Sequence, residues 1–191
     1  SLGLVGSEMC IRDSSYTVEH LENFNKLHKT VDGFSPQIII HLAAQAGVRH
    51  SLENPKKYID SNVIGTFNLL EVVKKQNLDH LLMASTSSVY GSNKEMPFKE
   101  TQKCDTQLSM YAATKKANEV MAHSYAYTDN IPITMFRFFT VYGTWGRPDL
   151  ALFKFVDAIL DNRPIDIYNN GEMYRDCLLY TSDAADDMQC V

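Results

Sequence analysis

The run Ile38-Ile39-Ile40-His41-Leu42-Ala43-Ala44 constrains the fold more than any other stretch of the chain. It is short, continuously apolar and rich in β-branched residues, which suits a strand of a parallel sheet buried on both faces. Pro55 then opens a helical pattern through Tyr58, Val63, Phe67, Leu70 and Val73. A second apolar run at residues 81–84 is followed by a helical pattern over 111–127, a strand over 133–139 and a helix over 150–160. A short strand is expected over 164–168, before the turn signal Asn169-Asn170-Gly171. Upstream, Val18, Leu21, Phe24, Leu27 and Val31 have the spacing of an amphipathic helix, with Gly33 as its expected stop. Strands alternating with helices predict an α/β protein built on an open parallel sheet. In such sheets ligands bind beyond the carboxyl ends of the strands. The small or polar clusters at 43–49, 86–88 and 140–147 all follow predicted strands, so three separate stretches converge on one edge.

The chemistry concentrates between Ser85 and Lys115. The hydroxyl run Ser85-Thr86-Ser87-Ser88 follows the second strand, and Tyr111-Ala112-Ala113-Thr114-Lys115 begins the next helical pattern. Residues four apart share a helix face, which sets an ammonium beside a phenol. A free phenol titrates at about 10, too high for a base near neutrality. A nearby cation favours the phenolate. With a hydroxyl from Thr86 sharing the proton, the group suits removal of a proton from an alcohol. A Tyr–Lys pair at this spacing is more often a packed ring beside a solvated amine, so the pair alone does not define a site. The small residues after the first strand let a ligand approach the backbone closely, although tight strand–helix packing explains them equally well. His41 reads as a buried, hydrogen-bonded histidine rather than a catalyst. Asn62, polar on an apolar helix face, reads as satisfying a backbone group.

Both ends of the chain look foreign. Residues 4–14 resemble the translation of a transposase-type sequencing adapter, and residues 177–186 resemble the opposite adapter read outward. Met9 to Ser14 can be encoded by ATG-TGT-ATA-AGA-GAC-AG, whose reverse complement, read one base in, encodes Cys177 to Thr181. Residues 1–14 and 177–191 are therefore expected to lie outside the native sequence, leaving 15–176 as a partial catalytic domain. Three of the four cysteines fall in those ends. Only Cys104 remains, without a disulfide framework or metal-spaced pair, which fits a reducing, cytoplasmic compartment and no metal. The net charge of −5 argues against nucleic acid or an anionic membrane as partner. No apolar run approaches the roughly twenty residues of a membrane span.

Residues 85–91 followed by Tyr111-x-x-x-Lys115 resemble the active site of the NAD-dependent epimerase/dehydratase family, the extended short-chain dehydrogenases/reductases. Arg137-Phe138-Phe139-Thr140-Val141-Tyr142-Gly143-Thr144-Trp145-Gly146-Arg147-Pro148-Asp149 and Ala43-Ala44-Gln45-Ala46-Gly47-Val48-Arg49 resemble its UDP-glucuronate 4-epimerases. Thr144 departs from the proline usual after that glycine. The resemblance covers residues 16–176 and implies a Rossmann-like parallel sheet with helices on both faces. It implies a truncated one, lacking the first βαβ unit and the C-terminal substrate region, because residues 1–42 contain no G-x-G-x-x-G.

Carried over by motif, Thr86, Tyr111 and Lys115 are catalytic. Ala43, Ala44, Gln45, Asn62, Ser85, Tyr111, Lys115 and Phe138 contact NAD. Thr86, Ser87, Ser88, Thr140, Arg147 and Arg175 contact the UDP-sugar, Arg175 through its diphosphate, where a guanidinium suits phosphate. For Arg147 the alternative to a substrate contact is an ion pair with Asp149 or a solvated loop position. The family's elimination enzymes carry an acid in the two positions after the Thr, to protonate a leaving hydroxide. Ser87 and Ser88 stand there instead, which favours a 4-epimerase, expected to interconvert UDP-glucuronate and UDP-galacturonate through a 4-keto sugar. The alternatives are a UDP-glucose/galactose 4-epimerase, a UDP-glucuronate decarboxylase and a non-catalytic dinucleotide-binding module. The family further implies a homodimer through the helices at 55–75 and 111–127. The literal chain, without its phosphate loop, is expected to be inactive.

Overall fold

The computed structural model describes residues 15–143, 146, 148–172 and 177–179. The chain divides into two compact units, one ending at Phe136 and the other beginning at Arg137.

The first unit opens with helix α1 (Phe24–Phe34), which starts later than the apolar spacing suggests. The backbone N–H of Lys26 donates to the Asn23 side chain, and this cap sets the start. Tyr16 and Val18 lie exposed ahead of it. Gly33 does not end the helix; the left-handed turn falls on Ser35, whose N–H donates to the Val31 carbonyl. Strand β1 (Ile38–His41) follows, shorter than the apolar run, with residues 42–47 leaving it as a loop. Two short helices, α2 (Val48–Glu53) and α3 (Pro55–Tyr58), lead through a π-helical turn (Ile59–Ile64) into α4 (Gly65–Val73). The helical pattern from Pro55 to Val73 is thus one continuous coil interrupted by a wide turn, a feature that hydrophobic spacing does not announce.

Strand β2 (His80–Thr86) runs parallel to β1 with Ile39 opposite Leu81 and His41 opposite Met83. It extends through Ser85 and Thr86, so the hydroxyl run begins on the strand itself. Thr86 then caps a 3-10 turn (Ser87–Tyr90). Helix α5 (Met110–Thr128) is capped by Ser109, whose hydroxyl accepts from the Ala112 N–H. Strand β3 (Ile133–Phe138) completes the sheet in the order β1-β2-β3.

Leu69, Leu70, Val73, Leu81, Met83, Ala122 and Ile131 form the core between α4, α5 and one sheet face. Ile39, Ile133 and Met135 pack against it from the alternate positions of their strands. The other face is not covered as expected for β1: Ile38 is 57% and Ile40 63% exposed, and Phe136 on β3 is 42% exposed.

In the second unit, β4 (Thr140–Tyr142) pairs in parallel with β5 (Cys177–Leu179), Thr140 opposite Cys177. Helix α6 (Ala151–Leu160) lies between them in sequence. The strand expected at 164–168 does not form: residues 163–167 are irregular and mostly exposed, and a 3-10 turn (Tyr168–Gly171) follows. Among the described residues no strand pairs with that segment, and an unpaired segment has no ladder to hold it extended.

Candidate active site

The site grows from the carboxyl end of β2. Lys115, on the second turn of α5, is only 3% exposed, and its Nζ donates to the Ala84 carbonyl at 2.8 Å. Burial pulls its pKa down from 10.5 to about 8. Lys115 therefore holds its proton at neutral pH and releases it in the mildly alkaline range. An ammonium has further donors to offer beyond the one on Ala84. Tyr111 lies one helical turn earlier and is half-buried. Thr86 is buried, and its Oγ1 accepts from the Ser88 N–H at 3.2 Å, which leaves its own hydrogen to donate. Ser87 and Ser88 sit half-buried on the 3-10 turn just beyond.

Ser85 uses its hydroxyl differently. It faces the packed side of the sheet and donates to Glu119 Oε1 on α5 at 2.7 Å, while Lys116 pairs with Glu119 Oε2 at 3.2 Å. A cofactor contact from Ser85 would therefore come from its main chain. Together, the Lys115 and Ser85 bonds tie two successive residues of β2 to successive turns of α5. That fixes Thr86 relative to Tyr111.

The loop after β1 is held as firmly. Asn62, 1% exposed, accepts from the Gln45 N–H at 2.8 Å and donates to the Gln45 carbonyl at 3.1 Å. The same amide donates to Thr114 Oγ1 at 3.0 Å, and Thr114 donates to the Tyr111 carbonyl at 2.9 Å. One turn earlier, the Tyr58 hydroxyl faces the carbonyls of Ala46 at 2.9 Å and Gly47 at 2.7 Å. Its ring stands edge-on to Tyr111, 6.1 Å between centroids at 73°. Ala43 and Ala44 stay exposed, presenting backbone and methyl groups. Asn62 thus satisfies backbone groups, as its place on an apolar face suggested, and does so on the π-helical turn, a deviation frequent at functional sites. Tyr58 was legible only as a core position of the helical pattern; its polar end carries no sequence signal.

His41 is buried at 5% exposure, with Nε2 3.2 Å from Thr66 Oγ1. Burial, and secondarily the Lys115 charge, push its pKa down to about 4. It is the neutral, hydrogen-bonded core histidine expected. Residues 91–109 fold back on themselves. Asn93 donates to the Lys103 carbonyl, Gln107 to the carbonyls of Val89 and Cys104, and Tyr90 stacks on Phe98 with centroids 4.4 Å apart. The Met96–Pro97 bond is cis.

Phe138 and Thr140 lie in the second unit, Phe138 39% exposed at the end of β3 and Thr140 opening β4. Arg147 and Arg175 fall outside the described residues. Among the described residues no group of three or more His, Cys, Asp or Glu side chains is placed to hold a metal ion, and no helix is long and apolar enough to cross a membrane.

The chain is similar to known proteins in sequence and in fold. The family model for the NAD dependent epimerase/dehydratase family matches residues 10–191. A probable UDP-glucuronate 4-epimerase from Rhizobium meliloti (strain 1021) is 58% identical over 156 residues, covering 82% of this chain and 46% of that protein. The UDP-glucuronate 4-epimerase of Thermodesulfobacterium geofontis is 46% identical over 165 residues, covering 86% of this chain and 50% of its own. The chain thus spans about half the length of the curated relatives it matches. Among solved structures, the UDP-glucuronic acid 4-epimerase from Bacillus cereus, in complex with UDP-glucuronic acid and NAD, superposes with a TM-score of 0.81. It is 33% identical, and the match covers 92% of this chain and 55% of that one. The Rossmann-like α/β fold, the Tyr–Lys helix docked on a hydroxyl-bearing strand and the family match agree: the chain belongs to the NAD dependent epimerase/dehydratase family.

Proposed function

We propose that these residues serve, within a complete protein, a nucleotide-sugar 4-epimerase interconverting UDP-glucuronate and UDP-galacturonate with bound NAD. The observation that carries this reading is the buried Lys115, anchored to Ala84 at 2.8 Å one helical turn from Tyr111 and beside the strand that ends in Thr86. The names of the relatives narrow the substrate: several are UDP-glucuronate 4-epimerases, and the Bacillus cereus structure binds both UDP-glucuronic acid and NAD.

The residues present fit the nicotinamide end of the dinucleotide. The small, exposed Ala43 and Ala44 on a loop pinned by Asn62 give it a flat, preformed surface, and Lys115 has donors left for its ribose. Residues 1–42 hold no glycine-rich phosphate loop, so the pyrophosphate is not gripped by this part of the chain. NAD, when bound, supplies a reversible hydride acceptor.

The remaining steps belong to side chains. Tyr111 takes the proton from the sugar C4 hydroxyl and later returns it. Lys115 stabilises the phenolate by its charge, and Thr86 orients the reacting oxygen. Ser87 and Ser88 have no carboxyl to protonate a leaving hydroxide, which favours epimerisation over elimination. Their hydroxyls are donors for the C5 carboxylate, while Thr140, Arg147 and Arg175 are assigned to the substrate by motif resemblance alone.

Ile59, Ile64 and Phe67 on the helix after Pro55, and Val120 and Tyr127 on α5, are exposed apolar residues. They support a homodimer through these helices, which sedimentation of the complete protein would test. Cysteine usage supports a cytoplasmic setting, and the negative net charge supports the absence of a nucleic-acid partner. Codon complementarity supports reading 1–14 and 177–191 as foreign, and resequencing through Ser15 and Asp176 tests it. The activity itself is tested by NMR of a complete protein carrying these residues, supplied with UDP-glucuronate and NAD. UDP-galacturonate is the expected product. A pentose product would mean a decarboxylase, and turnover of UDP-galactose alone a different epimerase. If NAD binds and neither sugar turns over, a dinucleotide-binding module is the better description.

A further inference from the structure

Tyr58, which the sequence marked only as a core position, ties several parts of the site together. Its side chain is fully buried, and its hydroxyl hydrogen is shared between the carbonyls of Ala46 and Gly47. Gly47 has a φ of +110°, which only glycine adopts readily, and glycine's wide conformational freedom leaves the hydrogen bonds to hold the loop in one shape. The ring of Tyr58 stands edge-on to Tyr111 with centroids 6.1 Å apart and tilted against His50 of α2 at 6.0 Å. One residue therefore touches the loop after β1, the helix that follows it and the ring of Tyr111.

We propose that Tyr58 is a positioning residue which sets the small-residue loop through its hydroxyl and the Tyr111 phenol through its ring. The two tasks fall on different atoms and separate by substitution. Removing the hydroxyl takes the Tyr58 donor from both loop carbonyls, Gly47 keeping the Ser51 N–H at 3.2 Å, and preserves the edge-on ring contact. Removing the ring also frees Tyr111 to change rotamer. Asn62, one turn on, grips Gln45 and reaches α5 through Thr114. The loop therefore keeps one anchor when Tyr58 loses its hydroxyl, and the effect of Tyr58→Phe stays local.

This role rests on the epimerase reading for its catalytic meaning but not for its detection. The test compares Tyr58→Phe, Tyr58→Leu and, as a control of comparable instability, Leu70→Ala, which truncates the core of α4 away from the loop. Amide hydrogen exchange and the ¹³C-tyrosine resonance of Tyr111, assigned by its loss in Tyr111→Phe, are read on the full chain. Kinetics are read on a complete protein carrying the same residues.

Tyr58→Phe is expected to speed exchange at residues 45–51 about tenfold beyond Leu70→Ala, without moving the Tyr111 resonance. It should weaken NAD binding more than it lowers kcat. Tyr58→Leu is expected to shift the Tyr111 resonance as well and to lower kcat at least tenfold further. Loop exchange in Tyr58→Phe no faster than in Leu70→Ala overturns the proposal, even where Tyr58→Leu fails to fold. So does an unmoved Tyr111 resonance in a folded Tyr58→Leu. Expected exchange and resonance changes in a protein that epimerises nothing would uphold the positioning role and sink the epimerase reading.

Discussion

At the scale of single residues, the buried polar groups fix the pH behaviour. The His41 imidazole titrates at about 4 in the folded chain against 6.5 unfolded, so the unfolded state binds more protons between those values. Its contribution to stability is complete above 6.5 and is lost as the pH falls toward 4, by about 3 kcal/mol in all. Urea unfolding at pH 7 and pH 4.5 should show that loss in the parent and a smaller one in His41→Asn, which has no imidazole to charge. Lys115 behaves in the opposite range. Its folded pKa of about 8 lies below the ordinary 10.5, so its contribution rises with pH across that interval. For catalysis, Tyr111→Phe and Lys115→Met are each expected to lower kcat of a complete protein by roughly 10²–10⁴-fold, measured under saturating UDP-glucuronate. The loss should be far larger than any change in substrate affinity, since both side chains act on the proton in flight.

At the scale of elements, turns and caps decide whether the site is assembled. Gly91 has a φ of +59°, and a Cβ there would sit 2.0 Å from the Thr106 carbonyl oxygen. Gly91→Ala should therefore spring residues 91–109 off the end of β2, costing about 2 kcal/mol or more. Limited proteolysis should cut that segment in the variant before it cuts the parent. Strands β1 to β3, the α5 helix and the hydroxyl run at the end of β2 were legible in the chain, because each rests on local patterns: a β-branched run, a helical stripe, a hydroxyl cluster. Other features depend on partners distant in sequence and were not legible. The π-helical turn, the grip of Tyr58 on Ala46 and Gly47, and the turn of Ser85 toward Glu119 belong to that class. The failed strand at 164–168 shows the converse: a local pattern with no partner strand beside it.

At the scale of the molecule, the sheet of the first unit leaves apolar side chains exposed among the described residues. Ile38 and Ile40 on β1 and Phe136 two strands away on β3 are exposed, and among the described residues no strand pairs with the outer edge of β1. Such a surface invites association. The 191-residue chain is expected to enhance the fluorescence of an apolar dye such as ANS and to grow in apparent mass with concentration in sedimentation runs. Ile40→Lys should reduce both effects while leaving the circular dichroism of the helices intact. The second unit carries a different consequence. Its ladder joins two strands of three residues each, Thr140–Tyr142 and Cys177–Leu179. A pair that short, with no third strand beside it among the described residues, is weak in water. Left in heavy water, the chain should keep two clocks: the amides of β2, flanked by a strand on either side, exchange with global unfolding, while those of β4 and β5 fill with deuterium long before.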